Sequence, residues 1–336
     1  MKNYAGCMMV DNIVLFMMQL KGLGRKTIYK YFHLEPGIYS LGDVREIIRE
    51  AASVTGRVSV PDMRELEKAY ESYKRITEQS REQGIRITSY LEEGFPVKLK
   101  KIDDPPAVIY TKGDTRCLDE KAVAVIGTRE PIEYGAKIAK NLGYVLGRDG
   151  YTVVSGLAYG CDKYGHMGCL QANGRTVAVL AGGLDRIYPS QHEELAREIV
   201  RAKGCLLSEY PPGVKATPGS FVERDRLQSA LSEGIIVVET TVRGGTWHTI
   251  EYAREYGRRI GCYRHPEKFS SEKQVQGNRK LLQEAGTIGI GNNDELYGYR
   301  KLIDQKHEEL VRAEQYVIVT QPTFAGMVSG LREFER

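Results

Sequence analysis

The chain has 336 residues, with 48 lysines and arginines against 44 aspartates and glutamates, a formal net charge of +4. This length allows two or three domains, and the small positive charge permits a nucleic-acid partner without requiring one. The six cysteines form no CxxC pair and no paired histidine spacing, so we expect neither a metal site nor a disulfide framework. Residues 8–20 are apolar but too short and too interrupted to span a bilayer, and no signal-peptide pattern is present, so we expect a cytoplasmic protein without a membrane partner.

A glycine turn between two short helices is predicted within residues 12–32. The turn contains Gly22 and Gly24, and Arg25 and Lys26 follow it. This pattern is typical of a helix-hairpin-helix, whose loop amides and flanking cations hold a phosphate without reading bases. A plain turn joining two helices of a structural bundle is the alternative, because G-x-G alone is a weak signal.

Two further helices, at residues 44–51 and 61–83, extend this helical N-terminal domain, which we place at residues 1–84. The second helix is strongly charged, as is usual for a solvated face. A strand at residues 85–89 and a rigid Asp-Asp-Pro-Pro turn lead into the next domain, residues 85–290.

The centre of the chain predicts a parallel α/β core. Val123–Ile126, Thr152–Val154 and Thr176–Leu180 are short apolar runs, and each one leads into a glycine-bearing turn. Parallel strands are covered on both faces, so they read as continuous apolar runs, and ligands bind beyond their carboxyl ends. Glycine turns that open helices along one edge indicate an anion site there.

The second half of the domain continues the alternation of strands and helices. We predict a helix at 193–203, a strand near 204–208, a helix at 227–232 directly after an arginine pair, a strand at 235–238, a helix at 247–256 and a strand at 259–263. Beyond residue 286 no clear periodicity is found until residue 309, and residues 291–336 form an extension of unassigned role.

The glycine turns belong to an ordered set of motifs that ends near residue 286. The set comprises Gly127-Thr128-Arg129, Tyr134-Gly135, Ser155-Gly156-Leu157-Ala158, Gly160-Cys161-Asp162 with His166, Gly182 with Asp185, Tyr188-Pro189, Leu207-Ser208-Glu209-Tyr210-Pro211, Phe221 with Arg224-Asp225-Arg226, and Gly277-Asn278 with Leu281, Leu282 and Gly286. It resembles the DprA/Smf family of DNA-processing proteins. The N-terminal glycine turn and the DDPPAVIYTKGD segment resemble the same family, so the likeness covers about residues 10–290.

The resemblance implies a fold and a function. The fold is a Rossmann-like, doubly wound and mostly parallel α/β sheet of the nucleotide-binding SLOG group, preceded by a small helical domain of the helix-hairpin-helix or SAM-like kind. The family binds and protects single-stranded DNA at this strand edge, forms dimers, and loads a RecA-type recombinase in recombination and transformation. No cofactor and no metal are implied.

Carried over position by position, the resemblance implies a set of DNA-binding residues. Arg129, Arg224 and Arg226 would clamp phosphates, because a guanidinium is permanently charged and donates two parallel hydrogen bonds. Phe221 would stack on a base. The turn positions Ser155, Gly156, Gly182, Gly244, Gly245 and Thr246 would approach the phosphates. A structural ion-pair cluster with neighbouring carboxylates is the alternative for Arg224 and Arg226.

The sequence departs from the family pattern at several points. Asp225 replaces the usual asparagine between the two arginines, and we expect it either to repel the ligand or to hold the arginines in an ion pair. Residues 243–248 replace a Ser-Gly-Ser or Ser-Gly-Thr turn, and residues 262–266 replace the usual Val-Pro-Gly. The residues after Gly286 do not show the pattern of the winged helix that many members carry.

For four further candidate residues, a purely structural role is weighed against a functional one. Asp162 and His166 lie four apart on a predicted helix, and we favour a cap and a buried polar contact over catalysis. For Trp247, stacking on a base and packing in the core are both open. Ser155 does not lie in the G-x-S-x-G elbow of a hydrolase, so a turn hydroxyl is favoured over a nucleophile.

An enzyme is the main alternative. Gly244-Gly245 followed by Glu251 partly resembles the phosphate turn and glutamate of nucleotide phosphoribohydrolases of the SLOG group, in which the glutamate acts on the sugar during N-glycosidic cleavage. A carboxylate near a helix start is also favoured by the dipole alone. A sensor that binds a nucleotide without cleaving it, as in some phage-defence proteins, is a third hypothesis.

Overall fold

A computed structural model of the chain describes residues 8–320 and the side chains of residues 8–311. Its N-terminal part contains β1 (Met9–Val10), α1 (Ile13–Met17), α2 (Arg25–Tyr31), β2 (Tyr39–Ser40), α3 (Leu41–Thr55) and α4 (Met63–Glu82). Capping boxes begin the two long helices, with Ser40 and Asp43 at α3 and Asp62 and Glu65 at α4. These reciprocal bonds satisfy amides that have no partner inside the helix. In the described part of the chain, no helix is both long and apolar enough to cross a membrane.

A nine-stranded sheet organises the rest of the described chain. Its strands are β3 (Arg86–Ser89), β4 (Val108–Gly113), β5 (Ala122–Ile126), β6 (Thr152–Ser155), β7 (Thr176–Val179), β8 (Cys205–Ser208), β9 (Gly234–Val237), β10 (Arg259–Tyr263) and β11 (Thr287–Ile290). Their spatial order is β11-β10-β9-β5-β6-β7-β8-β4-β3. The strands from β11 to β8 run parallel, and β4 and β3 are added antiparallel at one end.

Helices cover both faces of the sheet. They are α5 (Val97–Lys100), α6 (Glu133–Arg148), α7 (Cys161–Gln171), α8 (Glu193–Arg201), α9 (Pro218–Ala230), α10 (Thr246–Glu255), α11 (Gln276–Leu281) and α12 (Asn293–Thr320). Alternate residues of β5 face opposite sides: Val123 and Val125 pack with α6, α7 and α12, whereas Ala124 and Ile126 pack with α9 and α10. The predicted Rossmann-like, doubly wound and mostly parallel sheet is therefore confirmed.

The N-terminal helices pack against one end of this sheet. A single apolar cluster contains Phe16 of α1, Leu66 of α4 and Tyr110 of β4. The division of the chain at residue 84 stays a prediction, and the apolar packing is continuous across it.

One sequence prediction about the elements was wrong, and two elements after residue 286 were not predicted. The arginine pair does not precede a helix at residues 227–232, because α9 begins at Pro218 and contains both arginines. Thr217 caps α9 through a reciprocal bond with Ser220, and proline is well suited to the first helical turn. The sequence predicts no element between residues 286 and 309, but the structure forms β11 and the start of the long α12 there.

Candidate nucleic-acid interface

The cavity that we call the main one, for its position and not its size, lies where the strand order of the sheet reverses. After β5 the chain builds one side of the sheet through β6, β7 and β8, and it then returns to place β9 on the other side of β5. The carboxyl ends of β5 and β9 flank a cavity of about 430 Å³, closed by α9 and by the start of α10. Such a switch point is the usual ligand position in an open α/β sheet.

Arg129 stands at the mouth of this cavity on the loop after β5. Its side chain is exposed, and its guanidinium carbon lies 5.1 Å from the centre of the Phe221 ring. Among the side chains of residues 8–311, no carboxylate forms an ion pair with Arg129. The structure therefore places a cation and an aromatic ring together at the cavity, with the cation available to an anion.

Arg224 lies in the cavity wall and is held by the protein itself. Its Nη1 donates to the carbonyl oxygen of Val179 at 2.6 Å, and its Nε is 3.2 Å from Oδ1 of Asp225. The guanidinium packs directly against Gly156, where a Cβ atom would come within 1.8 Å of Nη1. Gly156 is thus required for close packing against Arg224, and Arg224 is a buried cation.

Two carboxylates accompany Arg224. Oδ2 of Asp162 accepts hydrogen bonds from the amides of Gly156 at 3.1 Å and Ala158 at 3.4 Å, so Asp162 organises the turn before α7. Burial raises the pKa of Asp162, and the charge of Arg224 opposes that rise. Burial also raises the pKa of Asp225 to about 6, again against the effect of Arg224. The expected ion pair between Asp225 and Arg224 is present.

Arg226 points away from the cavity. Its side chain is 2% exposed, and its Nη2 donates to Oε1 of Glu209 at 2.6 Å. Its Nε lies 3.7 Å from Asp104, which itself accepts two hydrogen bonds from Arg25 at 2.9 and 2.6 Å. The structure therefore joins Arg25 and Arg226 through Asp104 in one ion-pair cluster, and it does not bring Arg226 together with Arg129.

The predicted N-terminal phosphate site has the geometry of a helix start. Gly22 has a φ of +85°, and Gly24 is the N-cap residue of α2 in an extended conformation. Lys26 is exposed, whereas Arg25 is half-buried by its contact with Asp104. Phosphate binding at Gly22, Gly24, Arg25 and Lys26 stays a prediction.

The glycine turn before α10 opens into the main cavity. Gly244, Gly245 and Thr246 line it, and no side chain caps the helix. Within the described residues, the amides of Gly245 and Thr246 have no acceptor. Free amides at a helix N-terminus, beside the positive end of its dipole, suit an anion.

Ser155 and Gly182 are placed differently from this turn. The Ser155 hydroxyl is fully buried and donates to the carbonyl oxygen of Val125 at 2.7 Å, so it does not face the cavity. Gly182 lines a neighbouring cavity of about 660 Å³, which shares Phe221 with the main one. In that cavity Tyr188 is 59% exposed, and its ring centre lies 5.8 Å from that of Phe221.

Sequence reasoning missed part of this second cavity. Tyr188 was noticed only as a motif residue, and Lys215 was not singled out, although both line the cavity. The Tyr-Pro dipeptide after the third core strand was the available signal for Tyr188. Nothing in the sequence around Lys215 distinguishes it from an ordinary surface lysine.

The remaining candidates have structural partners. Nδ1 of His166 lies 2.7 Å from the Thr176 hydroxyl, so His166 and Asp162 bond to separate groups. The indole of Trp247 donates to the carbonyl oxygen of Thr241 at 2.9 Å, and its ring packs against an apolar cluster. Glu251 is exposed and does not line the main cavity. In residues 8–320, no group of three or more His, Cys, Asp or Glu side chains is arranged to hold a metal ion.

Comparison with known proteins identifies the family. A family profile described as DNA recombination-mediator protein A matches residues 86–298 of the chain. The chain belongs to this family. The match confirms the resemblance to the DprA/Smf DNA-processing proteins.

Relatives and solved structures agree with this assignment. The DNA processing protein DprA of Bacillus subtilis is 39% identical over 229 residues, covering 67% of this chain and 77% of the relative. Across the curated relatives, the aligned region covers between 45% and 86% of the length of the relative. The structure is similar to DprA from Streptococcus pneumoniae, with a TM-score of 0.63 and 28% identity over 77% of this chain and 86% of the other.

A second solved structure is described as showing a single-stranded DNA binding mode. It is DprA from Helicobacter pylori, which is 28% identical with a TM-score of 0.57, over 66% of this chain and 97% of the other.

Proposed function

We propose that this DprA/Smf protein binds and protects single-stranded DNA at the carboxyl edge of β5 and β9. The observation that carries the proposal is the position of Arg129, an exposed cation without an ion-pair partner among the described residues, over Phe221 at the cavity mouth. Its guanidinium contacts a phosphate, and the open amides at the start of α10 contact another. The described binding mode of the Helicobacter pylori relative supports the same ligand.

The two adjoining cavities define a path for the strand. Phe221 lines both of them, and the exposed Tyr188 ring stands beside it. Lys215 and Arg186 line the second cavity and supply positive charge along the path. Aromatic rings alternating with cations are suited to single strands, because every base has a face that stacks.

The predicted roles of the three arginines are revised accordingly. Arg129 contacts the ligand, whereas Arg224 and Arg226 are buried and bonded to protein groups and act by holding α9 in place. The N-glycosidase hypothesis loses the carboxylate on which it depended, because Glu251 lies outside the cavity.

The test is fluorescence anisotropy with a labelled oligothymidylate at two salt concentrations. We expect tight binding that weakens steeply with salt, because each cation that contacts a phosphate releases a counterion. In Arg129→Ala, affinity falls and the slope of log affinity against log salt decreases by about 0.7, the value for one contact on a single strand.

Arg116→Ala is the matched control, since Arg116 is exposed and precedes β5 at the opposite end of that strand. Its affinity should equal that of the wild type. Salt-independent binding, or equal loss in both variants, would contradict the proposed site.

The proposal has three further parts, which family membership supports. The protein loads a RecA-type recombinase during recombination or transformation, it forms a homodimer, and it is located in the cytoplasm. Recombinase loading predicts that the protein speeds RecA filament formation on DNA coated with single-strand binding protein. Unchanged filament formation at saturating protein would contradict that part. Light scattering of the purified protein tests the dimer.

A further inference from the structure

The cavity contains a carboxylate that the binding of phosphate does not use. Asp225 lies on α9 and lines the cavity, with its side chain 14% exposed. Its Oδ1 accepts a hydrogen bond from Nε2 of Gln228 at 2.9 Å and lies 3.2 Å from Nε of Arg224. Within the described residues, no group donates a hydrogen bond to its Oδ2. Asp225 therefore presents an acceptor to the cavity.

The surrounding side chains hold this acceptor in place. Gln228 is 2% exposed, and its Oε1 is buried without a partner. The reverse orientation of the amide would set Oε1 against the carboxylate oxygen, so Gln228 is fixed as the donor. Arg224 is fixed in turn by its bond to the carbonyl oxygen of Val179. Such support from a second layer of residues is what a recognition group requires.

The position of Asp225 separates the cavity into two chemical halves. A phosphate is repelled by the carboxylates of Asp225 and Asp162, so it is drawn to Arg129 and to the start of α10. The half beside Asp225 suits a neutral group that donates hydrogen bonds. A nucleobase stacked at Phe221 is such a group, and 430 Å³ lies within the range of pockets for small ligands.

We propose that Asp225 reads a base of the bound strand and favours guanine. The inference rests on the proposed function, because the base reaches Asp225 only when the strand occupies the cavity. Guanine presents two adjacent donors, N1–H and the N2 amino group, which match the two oxygens of a carboxylate. Adenine and cytosine present one donor beside an acceptor, and thymine presents one donor between two carbonyl oxygens, which the carboxylate repels.

The test compares oligonucleotides that differ only in base. Labelled oligothymidylate is measured beside strands of the same length in which isolated thymines are replaced by guanine, adenine or cytosine, with the guanines spaced apart to prevent quadruplexes. At about 0.1 M salt we expect the guanine strand to bind about fivefold to tenfold more tightly than oligothymidylate, the lower part of the range for a bidentate base contact. The adenine and cytosine strands should fall between the two.

Two variants separate base recognition from charge. Asp225→Asn keeps the shape of the side chain but offers one donor and one acceptor, so the preference for guanine should disappear. Glu223→Gln removes the same charge from α9 at an exposed position that does not line the cavity, where the carboxylate accepts a bond from Tyr210. That variant should keep the preference.

The outcomes distinguish the inference from the function on which it rests. Equal, salt-sensitive binding of all four strands would overturn the inference and leave single-stranded DNA binding intact. A preference for guanine that persists in Asp225→Asn would also overturn it. Failure of every strand to bind at low salt would overturn both proposals. The wild-type comparison alone decides the matter if Asp225→Asn does not fold.

Discussion

Arg129 and Arg224 have the same chemistry and opposite environments. Arg129 is exposed at the cavity mouth, whereas Arg224 is 4% exposed and lies beside the carboxylates of Asp162 and Asp225. The sequence motif marks both residues but does not distinguish them, because burial depends on how α9 packs against the turn at Gly156. A motif therefore marks candidate residues, but it does not assign the role of each one.

Removal of Arg224 should destabilise the protein. Arg224→Ala leaves two buried carboxylates without their cation, and breaking a buried pair on one side typically costs about 3–5 kcal/mol. The free energy of unfolding in urea should fall by an amount of this order. Arg129→Ala is the matched control, and it should change stability by less than about 0.5 kcal/mol. Equal stability of the two variants would show that Arg224 is not a structural cation.

Protonation of Asp225 should change DNA binding between pH 7.5 and pH 5. Its pKa is raised to about 6 by burial, so the carboxylate is charged above that pH and becomes neutral as the pH falls through it. The groups that face it are Arg224 on α9, Asp162 on α7, His248 on α10 and Arg129 on the β5 loop.

Loss of the negative charge should raise affinity for thymine strands as the pH falls and should weaken the preference for guanine. Binding of oligothymidylate and of the guanine-substituted strand is therefore measured across this range. Asp225→Asn retains His248 and the arginines, so any pH dependence that it shares with the wild type belongs to other groups. Superimposable pH profiles of the two proteins would contradict the assignment to Asp225.

At the scale of elements, α9 shows why part of the site could not be predicted. Residues 123–126, 152–154 and 176–180 are predicted as strands because parallel strands are continuous apolar runs, and the structure has strands at these positions. Helix α9 has no comparable stripe, since its buried residues include Arg224, Arg226 and Gln228. Periodicity assigns charged residues to the solvent, so it failed where charges are buried in ion pairs and hydrogen bonds.

Helix α12 is a second element that the sequence analysis does not predict. Polar contacts contribute to its attachment: the Tyr299 hydroxyl donates to the carbonyl oxygen of Ile235 at 2.9 Å, and the Tyr151 hydroxyl donates to Asp304 at 2.8 Å. The apolar face of the helix is nevertheless local, since Leu296, Tyr299 and Ile303 are buried at helical spacing. That periodicity was an available signal, which the sequence analysis did not use. The glycine turns are local as well, and Gly127, Gly244 and Gly245 line the main cavity.

The cap of α9 should matter for the site that this helix carries. Thr217→Ala removes the side chain that accepts from the Ser220 amide, and loss of such a cap costs about 1 kcal/mol. Urea unfolding should show this loss. Because the first turns of α9 hold Phe221 and Asp225, affinity for single-stranded DNA should fall as well. Thr217→Ser keeps the acceptor and should retain both properties; equal effects of the two changes would exclude the cap as the cause.

At the scale of the whole molecule, one buried charge cluster connects segments that are distant in sequence. Oε1 of Glu233, directly before β9, is 2.9 Å from Nζ of Lys98 on α5 and 2.8 Å from Nδ1 of His307 on α12. Its Oε2 accepts from the amide of Ala122 at 2.7 Å. These contacts lie at the amino ends of β5 and β9, and the candidate site lies at their carboxyl ends. We therefore expect changes in this cluster to affect stability without affecting binding.

Glu233→Gln should destabilise the protein without weakening its binding of DNA. The change leaves the buried Lys98 cation without its carboxylate, and we expect a loss of about 3–5 kcal/mol in the free energy of unfolding. The double variant Lys98→Met with Glu233→Gln removes both charges and should recover most of that loss. Urea unfolding measures stability, and anisotropy at a low urea concentration measures the affinity of the folded fraction.

The pH dependence of the free energy of unfolding is a second test of the buried charge cluster around Glu233. The pKa of Glu233 is lowered by His307 and Lys98 in spite of its burial. A carboxyl group whose pKa is lowered on folding stabilises the folded state above its unfolded pKa, and the stabilisation is lost as the pH falls through the folded pKa. The wild type should therefore lose more stability than Glu233→Gln on acidification below the ordinary glutamate range. If the two proteins lose stability in parallel there, Glu233 does not carry the charge that joins α5, β9 and α12.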